Sequence, residues 1–279
     1  MMRKLFFVFA VAMLFSNVAL AQNLNRNQPV WQQRSIYRNI LVVEGDGHRC
    51  LTFGRQSSRQ SCIEIEQPLK LVFGYTQSIF AAINELPHVG RVLVIGVGGG
   101  TLPMAIREKY PSAMIDAVEL DPEVINVAER YFYFKPDDHI SVYAEDGRVF
   151  VRKAKRRGWK YDAVILDAFD KDYIPEHMAT AEFLAQVKAV LDDHGILLAN
   201  TFSGTSYQKY EEATYQAVFG NIYEAVIPNG NLIVRNRIIL AGRSAESVAS
   251  RLPKSSLVEK SRALVLTDKF SPVNALLTR

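Results

Sequence analysis

Residues 92–101 read VLVIGVGGGT, so that four consecutive apolar residues run directly into a glycine-rich turn. The apolar run is typical of a buried strand, and the residues after the turn have a helical pattern. Glycines at Gly96, Gly98 and Gly100 let the backbone approach a ligand closely, and the free amides of the following helix face a bound group. The sixth position, where a dinucleotide fingerprint has glycine, is Thr101, so the match is to G-x-G-x-G, a form common in S-adenosylmethionine binders. The loop predicts a nucleoside site; a purely structural turn is the alternative.

The chain after this loop alternates apolar strands with helices. Further strand-like runs lie at residues 113–120, 140–144, 163–167 and 196–201. Asp121 and Pro122 signal the start of a helix that we expect to end near Tyr131. This alternation predicts an α/β fold with a Rossmann-like, methyltransferase-type parallel sheet that is covered on both faces. Two late apolar runs, 222–227 and 232–240, flank a turn signal at residues 228–230 and predict an antiparallel hairpin that closes the sheet.

The residues before residue 69 have a different pattern, in which short strands are separated by turn signals. Strand-like runs lie at residues 36–44, 49–53 and 60–65, and a helical pattern follows at residues 69–86. We therefore predict a small antiparallel β module at residues 22–68 and a Rossmann-like nucleoside-binding catalytic domain at residues 69–279.

The cysteines of the chain, Cys50 and Cys62, lie in two of these strand-like runs and flank a turn-like stretch at residues 56–58. A hairpin centred on that stretch sets the two side chains opposite one another, and an oxidising compartment permits a disulfide. Two buried, unpaired thiols are the alternative, and the spacing of the pair has no metal signature.

The amino-terminal residues 1–21 have the pattern of a secretory signal peptide. Arg3 and Lys4 precede an apolar stretch, and the small-residue pattern Ala-Leu-Ala ends at Ala21, after which we expect cleavage. The apolar stretch is shorter than the roughly 20 residues that a membrane-spanning helix needs, so we expect no stable membrane insertion after cleavage. The mature chain is therefore expected to be exported, either periplasmic or secreted.

The composition excludes several classes of protein. The chain has 279 residues, of which 48% are hydrophobic and 22% are charged, and this balance excludes a disordered protein. The formal net charge is only +4. Because a nucleic-acid binder needs a concentrated basic surface, we expect no nucleic-acid partner. Because the histidines and cysteines do not have zinc-site spacing, we expect no metal.

Two of the predicted strands end in residues suited to a nucleoside. Glu119 follows the second strand of the parallel sheet, where a carboxylate accepts hydrogen bonds from both ribose hydroxyls. Asp146 and Gly147 follow the third strand, where the carboxylate accepts a hydrogen bond from the adenine amino group and the glycine leaves room for the ring. A helix cap is the alternative role for Asp146.

The fourth strand ends in an acidic cluster that includes Asp167 and Asp170. Carboxylates that follow a buried strand either hold a positively charged substrate or include a general base. A solvated acidic loop is the alternative.

The order of these motifs resembles the spermidine synthase family of polyamine aminopropyltransferases. The residues that resemble it are the glycine loop, VELDP at 118–122, DG at 146–147, YDAVILDAFD at 161–170, and LTD at 266–268 together with PVN at 272–274. The resemblance extends over nearly the whole mature chain, and the early β module fits it as well.

The resemblance implies a reaction and roles for individual residues. The co-substrate would be decarboxylated S-adenosylmethionine, or S-adenosylmethionine itself, and the acceptor a small-molecule amine. Asp167 would be the catalytic base, Asp170 would hold the amine, Tyr75 would line the amine site, and Glu119 and Asp146 would bind the nucleoside. A homodimer is a further expectation from the family.

The chain departs from the family pattern mainly in the amine half. Gly99 stands where the family has an aspartate, Thr76 and Gln77 follow Tyr75 where the family has His-Glu, Arg38 replaces a glutamine at the amine site, and Lys171 replaces a proline. Two alternatives to aminopropyl transfer therefore stay open: an S-adenosylmethionine-dependent methyltransferase, and a non-catalytic exported homologue that binds a nucleoside or polyamine.

Overall fold

The computed structural model describes residues 29–54, 59–168, 174–227, 235–253 and 255–271. The predicted signal peptide, the two turns at 56–58 and 228–230, Asp170, Lys171 and the motif at 272–274 lie outside these described residues.

The amino-terminal strands form a four-stranded antiparallel sheet. Its strands, in spatial order, are β1 (Pro29–Arg34), β2 (Asn39–Gly45), β3 (His48–Phe53) and β4 (Arg59–Glu64). Two details differ from the sequence prediction: β1 was not predicted, and the prediction that a strand begins at residue 36 was wrong. Residues 35–38 form a turn instead, in which the Ser35 amide donates to the Arg38 carbonyl at 2.8 Å.

Cys50 of β3 and Cys62 of β4 stand directly opposite one another and form a disulfide, which confirms that alternative. Both residues are buried. Because side chains alternate between the faces of a strand, the bridge lies on the face opposite to Leu51 and Ile63, which belong to the apolar cluster around α3.

The remaining strands form one eight-stranded sheet. They are β5 (Arg91–Ile95), β6 (Met114–Glu119), β7 (Ile140–Ala144), β8 (Tyr161–Leu166), β9 (Leu191–Ser203), β10 (Tyr223–Val226), β11 (Arg235–Gly242) and β12 (Ser255–Leu257). The spatial order is β12-β10-β11-β9-β8-β5-β6-β7. Strands β5 to β9 pair in parallel, whereas β10, β11 and β12 join antiparallel. The predicted parallel sheet and closing hairpin are both confirmed.

Seven α-helices accompany these strands in the described residues. They are α1 (Gly74–Asn84), α2 (Thr101–Lys109), α3 (Pro122–Tyr131), α4 (Gly147–Arg156), α5 (Ala181–Val190), α6 (Gln208–Phe219) and α7 (Ala245–Ala249). Helix α3 has the predicted bounds, because Asp121 caps it by accepting from the Glu123 amide at 3.0 Å. No helix in the described part of the chain is long and apolar enough to cross a membrane.

The helices cover the large sheet on both faces. Apolar side chains of α1, α2 and α7 pack against one face, and those of α4, α5 and α6 pack against the other. Helix α3 packs its Val124 and Val127 against Ile40, Leu51 and other residues of the small sheet. This apolar contact holds the two sheets together; the boundary between residues 68 and 69 stays a prediction.

The strand order reverses between β5 and β8. From this point β6 and β7 extend to one side and β9 extends to the other. In an open α/β sheet, such a reversal opens a crevice at the carboxyl ends of the strands, and ligands bind there. The glycine loop follows β5 and Asp167 follows β8, so both lie at this crevice.

Candidate active site

The glycine loop is fixed to the neighbouring strands by its own backbone. The Gly96 amide donates to the Val118 carbonyl at 2.8 Å, and the Asp167 amide donates to the Ile95 carbonyl at 2.8 Å. Gly96 has a φ of +97°, and a Cβ atom there would lie 2.2 Å from the Asp167 carbonyl oxygen. Only glycine fits at this position.

The rest of the loop is covered by the small sheet and by aromatic rings after α3. A Cβ at Gly100 would lie 2.4 Å from the Phe134 ring. Gly98 faces Ser61 of β4, and a Cβ at Gly99 would lie 2.8 Å from the Ser61 Oγ atom and 3.0 Å from the Phe132 ring. The space into which a side chain at position 99 would extend is therefore filled in this chain.

Glu119 is held beside the loop by two backbone amides. Its Oε2 atom accepts from the Val97 amide at 3.1 Å, and its Oε1 atom accepts from the Asp121 amide at 3.2 Å. Burial raises the pKa of Glu119, while these hydrogen bonds and the charge of Arg38 act in the opposite direction. The carboxylate is thus oriented toward the loop, and its contact with a ribose stays a prediction.

Arg38 of the small sheet's first turn lies near Asp121 and Phe53. Its Nε atom is 4.0 Å from the Asp121 Oδ2 atom, and its guanidinium lies 4.4 Å from the centre of the Phe53 ring. These contacts and its charge, which acts to lower the pKa of Glu119, place Arg38 beside the acidic residues at the end of β6; its predicted position at the amine site stays a prediction.

Asp146 and Gly147 lie where β7 passes into α4. The Asp146 Oδ1 atom accepts from the Val149 amide at 2.9 Å, so Asp146 caps the helix. Its Oδ2 atom is 2.7 Å from the His177 Nε2 atom, and this contact is the main cause of a lowered Asp146 pKa. A Cβ at Gly147 would lie 2.5 Å from the Ile95 side chain, so the glycine lets the helix start approach β5. The cap is confirmed, and the contact with adenine stays a prediction.

Asp167 is held by two side chains from distant parts of the chain. Its Oδ2 atom accepts from the Tyr75 hydroxyl at 3.1 Å, and its Oδ1 atom accepts from the Asn200 amide at 2.8 Å. Burial raises the pKa of Asp167 to about 7; the two hydrogen bonds oppose this shift, and the Glu119 charge adds to it. The structure thus brings together Tyr75 and Asp167, two residues that the family resemblance assigns to the amine site, and their roles there stay predictions.

Asn200 and Asn236 were missed by the sequence analysis. The Asn236 amide donates to the Asn200 Oδ1 atom at 3.0 Å, so the Asn200 amide group is oriented with its NH2 toward Asp167. Asn200 is buried within the apolar strand β9. A buried polar residue in an apolar strand is the sequence signal that could have revealed it.

The two residues after Tyr75 turn away from the crevice. The Thr76 hydroxyl donates to the Phe73 carbonyl at 2.7 Å, and the Gln77 side-chain amide donates to the Leu71 carbonyl at 2.7 Å. Both therefore stabilise the start of α1. Asp170, the other predicted amine ligand, lies outside the described residues.

Two sets of residues thus meet at the crevice. We call Gly96, Gly98, Gly100 and Glu119 the nucleoside half, and Tyr75, Asp167 and Asn200 the amine half. Within the described ranges, no group of three or more His, Cys, Asp or Glu side chains is placed to hold a metal ion.

Comparison with known proteins identifies the family. The spermine/spermidine synthase domain matches residues 72–229, which include both halves of the crevice. The chain belongs to the spermine/spermidine synthase family. Over 281 aligned residues it is 37% identical to a polyamine aminopropyltransferase of Vibrio vulnificus, with 91% of this chain and 93% of that protein covered.

Several solved structures have the same fold as this chain. A probable spermidine synthase from Corynebacterium glutamicum is similar with a TM-score of 0.69 at 19% identity, covering 88% of this chain and 99% of that one. Human methyltransferase-like protein 13, solved in complex with SAH, is similar with a TM-score of 0.56 at 25% identity, covering 61% of this chain and 82% of that one.

Proposed function

We propose that this protein is a polyamine aminopropyltransferase that moves an aminopropyl group from decarboxylated S-adenosylmethionine to an amine acceptor. The decisive observation is the position of Asp167. This carboxylate lies at the reversal of strand order, beside the glycine loop, and is oriented by Tyr75 and Asn200. The identity to the Vibrio vulnificus enzyme over nearly the whole chain supports the same reaction.

The nucleoside half, together with Asp146 and Gly147, supplies the contacts for the co-substrate. Glu119 accepts hydrogen bonds from the ribose hydroxyls and Asp146 accepts one from the adenine amino group, while Gly147 lets the start of α4 lie close to Ile95 at this edge of the crevice. The free amides at the start of α2 face the bound nucleoside. We assign Gly96, Gly98 and Gly100 the role of keeping the backbone close enough for these contacts.

Asp167 acts as the general base. An aliphatic amine is protonated near neutral pH and cannot attack until it loses a proton. Asp167 attracts the cation and accepts that proton. The amine nitrogen then forms a bond to the aminopropyl carbon next to the sulfonium, the carbon–sulfur bond breaks, and its electron pair stays on sulfur. Methylthioadenosine is the leaving product.

The raised pKa of Asp167, about 7, suits this role. A base is most effective when its pKa lies near the working pH, because it is then both ionised and able to hold a proton. The hydroxyl of Tyr75 and the amide of Asn200 stabilise the ionised form. Both side chains are therefore assigned to positioning the base rather than to proton transfer.

The test is a transfer assay with purified wild-type protein and Asp167→Asn. We expect labelled decarboxylated S-adenosylmethionine and a diamine to give a longer polyamine and methylthioadenosine. Asp167→Asn is expected to lower turnover by roughly 10²- to 10⁴-fold, because it removes the base, while calorimetric binding of methylthioadenosine is retained. Undiminished turnover in Asp167→Asn would remove the catalytic assignment. Tight nucleoside binding without turnover in the wild type would favour the non-catalytic homologue.

Methyl transfer is the second candidate function. The similarity to human methyltransferase-like protein 13 supports it, because that protein was solved with SAH, the demethylated product of S-adenosylmethionine. The two candidates differ in the preferred co-substrate. Preference for decarboxylated S-adenosylmethionine in parallel titrations supports aminopropyl transfer, and preference for the intact form together with a methylated product supports methyl transfer.

We also propose that the protein is exported after removal of residues 1–21 and that it forms a homodimer. The Cys50–Cys62 disulfide supports export, because such bonds persist in oxidising compartments. Fractionation of producing cells is the check: we expect a mature chain that begins at Gln22 outside the cytoplasmic membrane. An uncleaved chain in the cytoplasm would contradict this proposal.

A further inference from the structure

The segment at residues 266–271, which we call the closing strap, is bound to the start of α5 and to the residues just before it. The Ala181 amide donates to the Leu266 carbonyl at 2.9 Å. The Asp268 amide donates to the Glu182 side chain at 3.0 Å, and the Ser271 hydroxyl donates to the Glu176 carbonyl at 3.0 Å. Leu266 is fully buried. The strap is thus held at several points along its length.

Asp268 of the strap forms a two-pronged ion pair with Arg148. The two terminal guanidinium nitrogens donate to the two carboxylate oxygens at 2.7 and 2.6 Å. The Thr180 hydroxyl donates to the same carboxylate at 2.8 Å. Paired hydrogen bonds of this kind fix the orientation of a guanidinium as well as its position.

Arg148 connects the strap to Asp146 and Gly147, the residues that are predicted to bind adenine. It follows Gly147 in the first turn of α4, and one of its terminal nitrogens also donates to the His177 carbonyl at 2.9 Å. The ring of His177 in turn contacts the Asp146 Oδ2 atom at 2.7 Å. A continuous set of contacts therefore runs from Asp268 through Arg148 and His177 to Asp146.

We propose that the closing strap is a positioning element, and that the Asp268–Arg148 pair holds Asp146 and Gly147 in place for the nucleobase. This inference rests on the proposed function, in which Asp146 and Gly147 bind adenine. Asp268 itself does not touch the substrate. Its effect is therefore on affinity for the nucleoside and not on the chemical step at Asp167.

The experiment measures the Kd for methylthioadenosine and the kinetics of transfer for the purified full chain and two variants. Asp268→Asn removes the charge, and Arg148→Lys keeps the charge but loses the two-pronged geometry. We expect each variant to bind methylthioadenosine about tenfold more weakly, to raise the KM for the nucleoside co-substrate similarly, and to keep kcat within about twofold. The double variant is expected to bind no more weakly than either single variant.

A matched control is Asp137→Asn, which breaks the pair with Arg107, in which the Arg107 Nε atom donates at 2.8 Å. Asp137 also accepts from two backbone amides just before β7, at the opposite edge of the sheet from the crevice. We expect the control to lower the midpoint of thermal unfolding without changing the Kd. Wild-type affinity in both test variants, or an equal loss of affinity in the control, would overturn this inference and leave the proposed function in place. Wild-type protein that binds no nucleoside would overturn the proposed function as well.

Discussion

The nucleoside half and the amine half of the crevice are built in different ways. The nucleoside half is built mainly from backbone groups. Glycines with positive φ turn the chain there, and the Val97 amide of the loop donates to Glu119. In the amine half, Asp167 is held by side chains from α1 and β9, which are far apart in sequence. We therefore expect an added atom to abolish binding in the nucleoside half, and the loss of one side-chain contact to reduce activity only in part in the amine half.

Gly96→Ala is the largest expected perturbation, and it should affect both halves. The added Cβ would lie 2.2 Å from the Asp167 carbonyl, and the φ of +97° is strained for any other residue. We expect a loss of unfolding free energy of about 4 kcal/mol and no measurable nucleoside binding. Denaturant unfolding and calorimetry check this.

Gly158→Ala is the matched control, because Gly158 has a φ of +68° but nothing within 4 Å of an added Cβ. It is expected to cost about 1 kcal/mol from backbone strain alone, with binding retained. Equal losses in the two variants would show that strain, and not the contact with Asp167, decides the effect at Gly96.

Removal of the disulfide in a Cys50→Ala, Cys62→Ala double variant is expected to lower the unfolding free energy by about 3 kcal/mol, because the closed loop no longer restricts the unfolded chain. Cys62 follows Ser61, which lies against Gly98 and Gly99. We therefore expect weaker methylthioadenosine binding and an unchanged pH profile of transfer. A changed pH profile would mean that the disulfide also affects the environment of Asp167 in the amine half. Reduced wild-type protein is the control for the effect of the alanines.

Asn200→Ala is expected to act on the amine half alone. The ionised base is needed, and Asp167 has a pKa of about 7, so kcat/KM of the wild type should rise with pH up to about 7 and then level off. Asn200 donates to the carboxylate and lowers the pKa of Asp167, so its loss raises that pKa and moves the acidic limb to higher pH. We expect a loss of about 2 kcal/mol in transition-state stabilisation at neutral pH. A pH–rate profile with the limb unmoved would contradict this.

Tyr75→Phe is expected to move the same limb in the same direction by a smaller amount, because the Tyr75 hydroxyl is the weaker of the two opposing influences on the pKa of Asp167. The expected loss in kcat/KM is about 1 kcal/mol, with the Kd for methylthioadenosine unchanged. Thr76→Val is the control on the same helix, since the Thr76 hydroxyl donates to the Phe73 carbonyl and not to Asp167. If Thr76→Val displaced the acidic limb of the pH–rate profile equally, the start of α1, and not the hydroxyl of Tyr75, would determine the pKa of Asp167.

The amino-acid sequence by itself determined the strand and helix alternation, the parallel sheet, the glycine loop and the residues that follow each strand. These are local properties: apolar periodicity sets the elements, and the carboxyl ends of parallel strands must meet at one edge of the sheet. Helix α3 has the predicted bounds because Asp121 and Pro122 define its start within the sequence.

Only the tertiary structure decided which side chains surround the residues that follow each strand. Asn200 and Asn236 meet because β9 and β11 pair antiparallel, and the position of Arg38 follows from the turn at residues 35–38 and from the packing of α3 on the small sheet. The contact between Asp268 and Arg148 joins residues 120 positions apart. Such contacts depend on how whole elements pack, and the pKa of Asp167 depends on the burial that this packing produces.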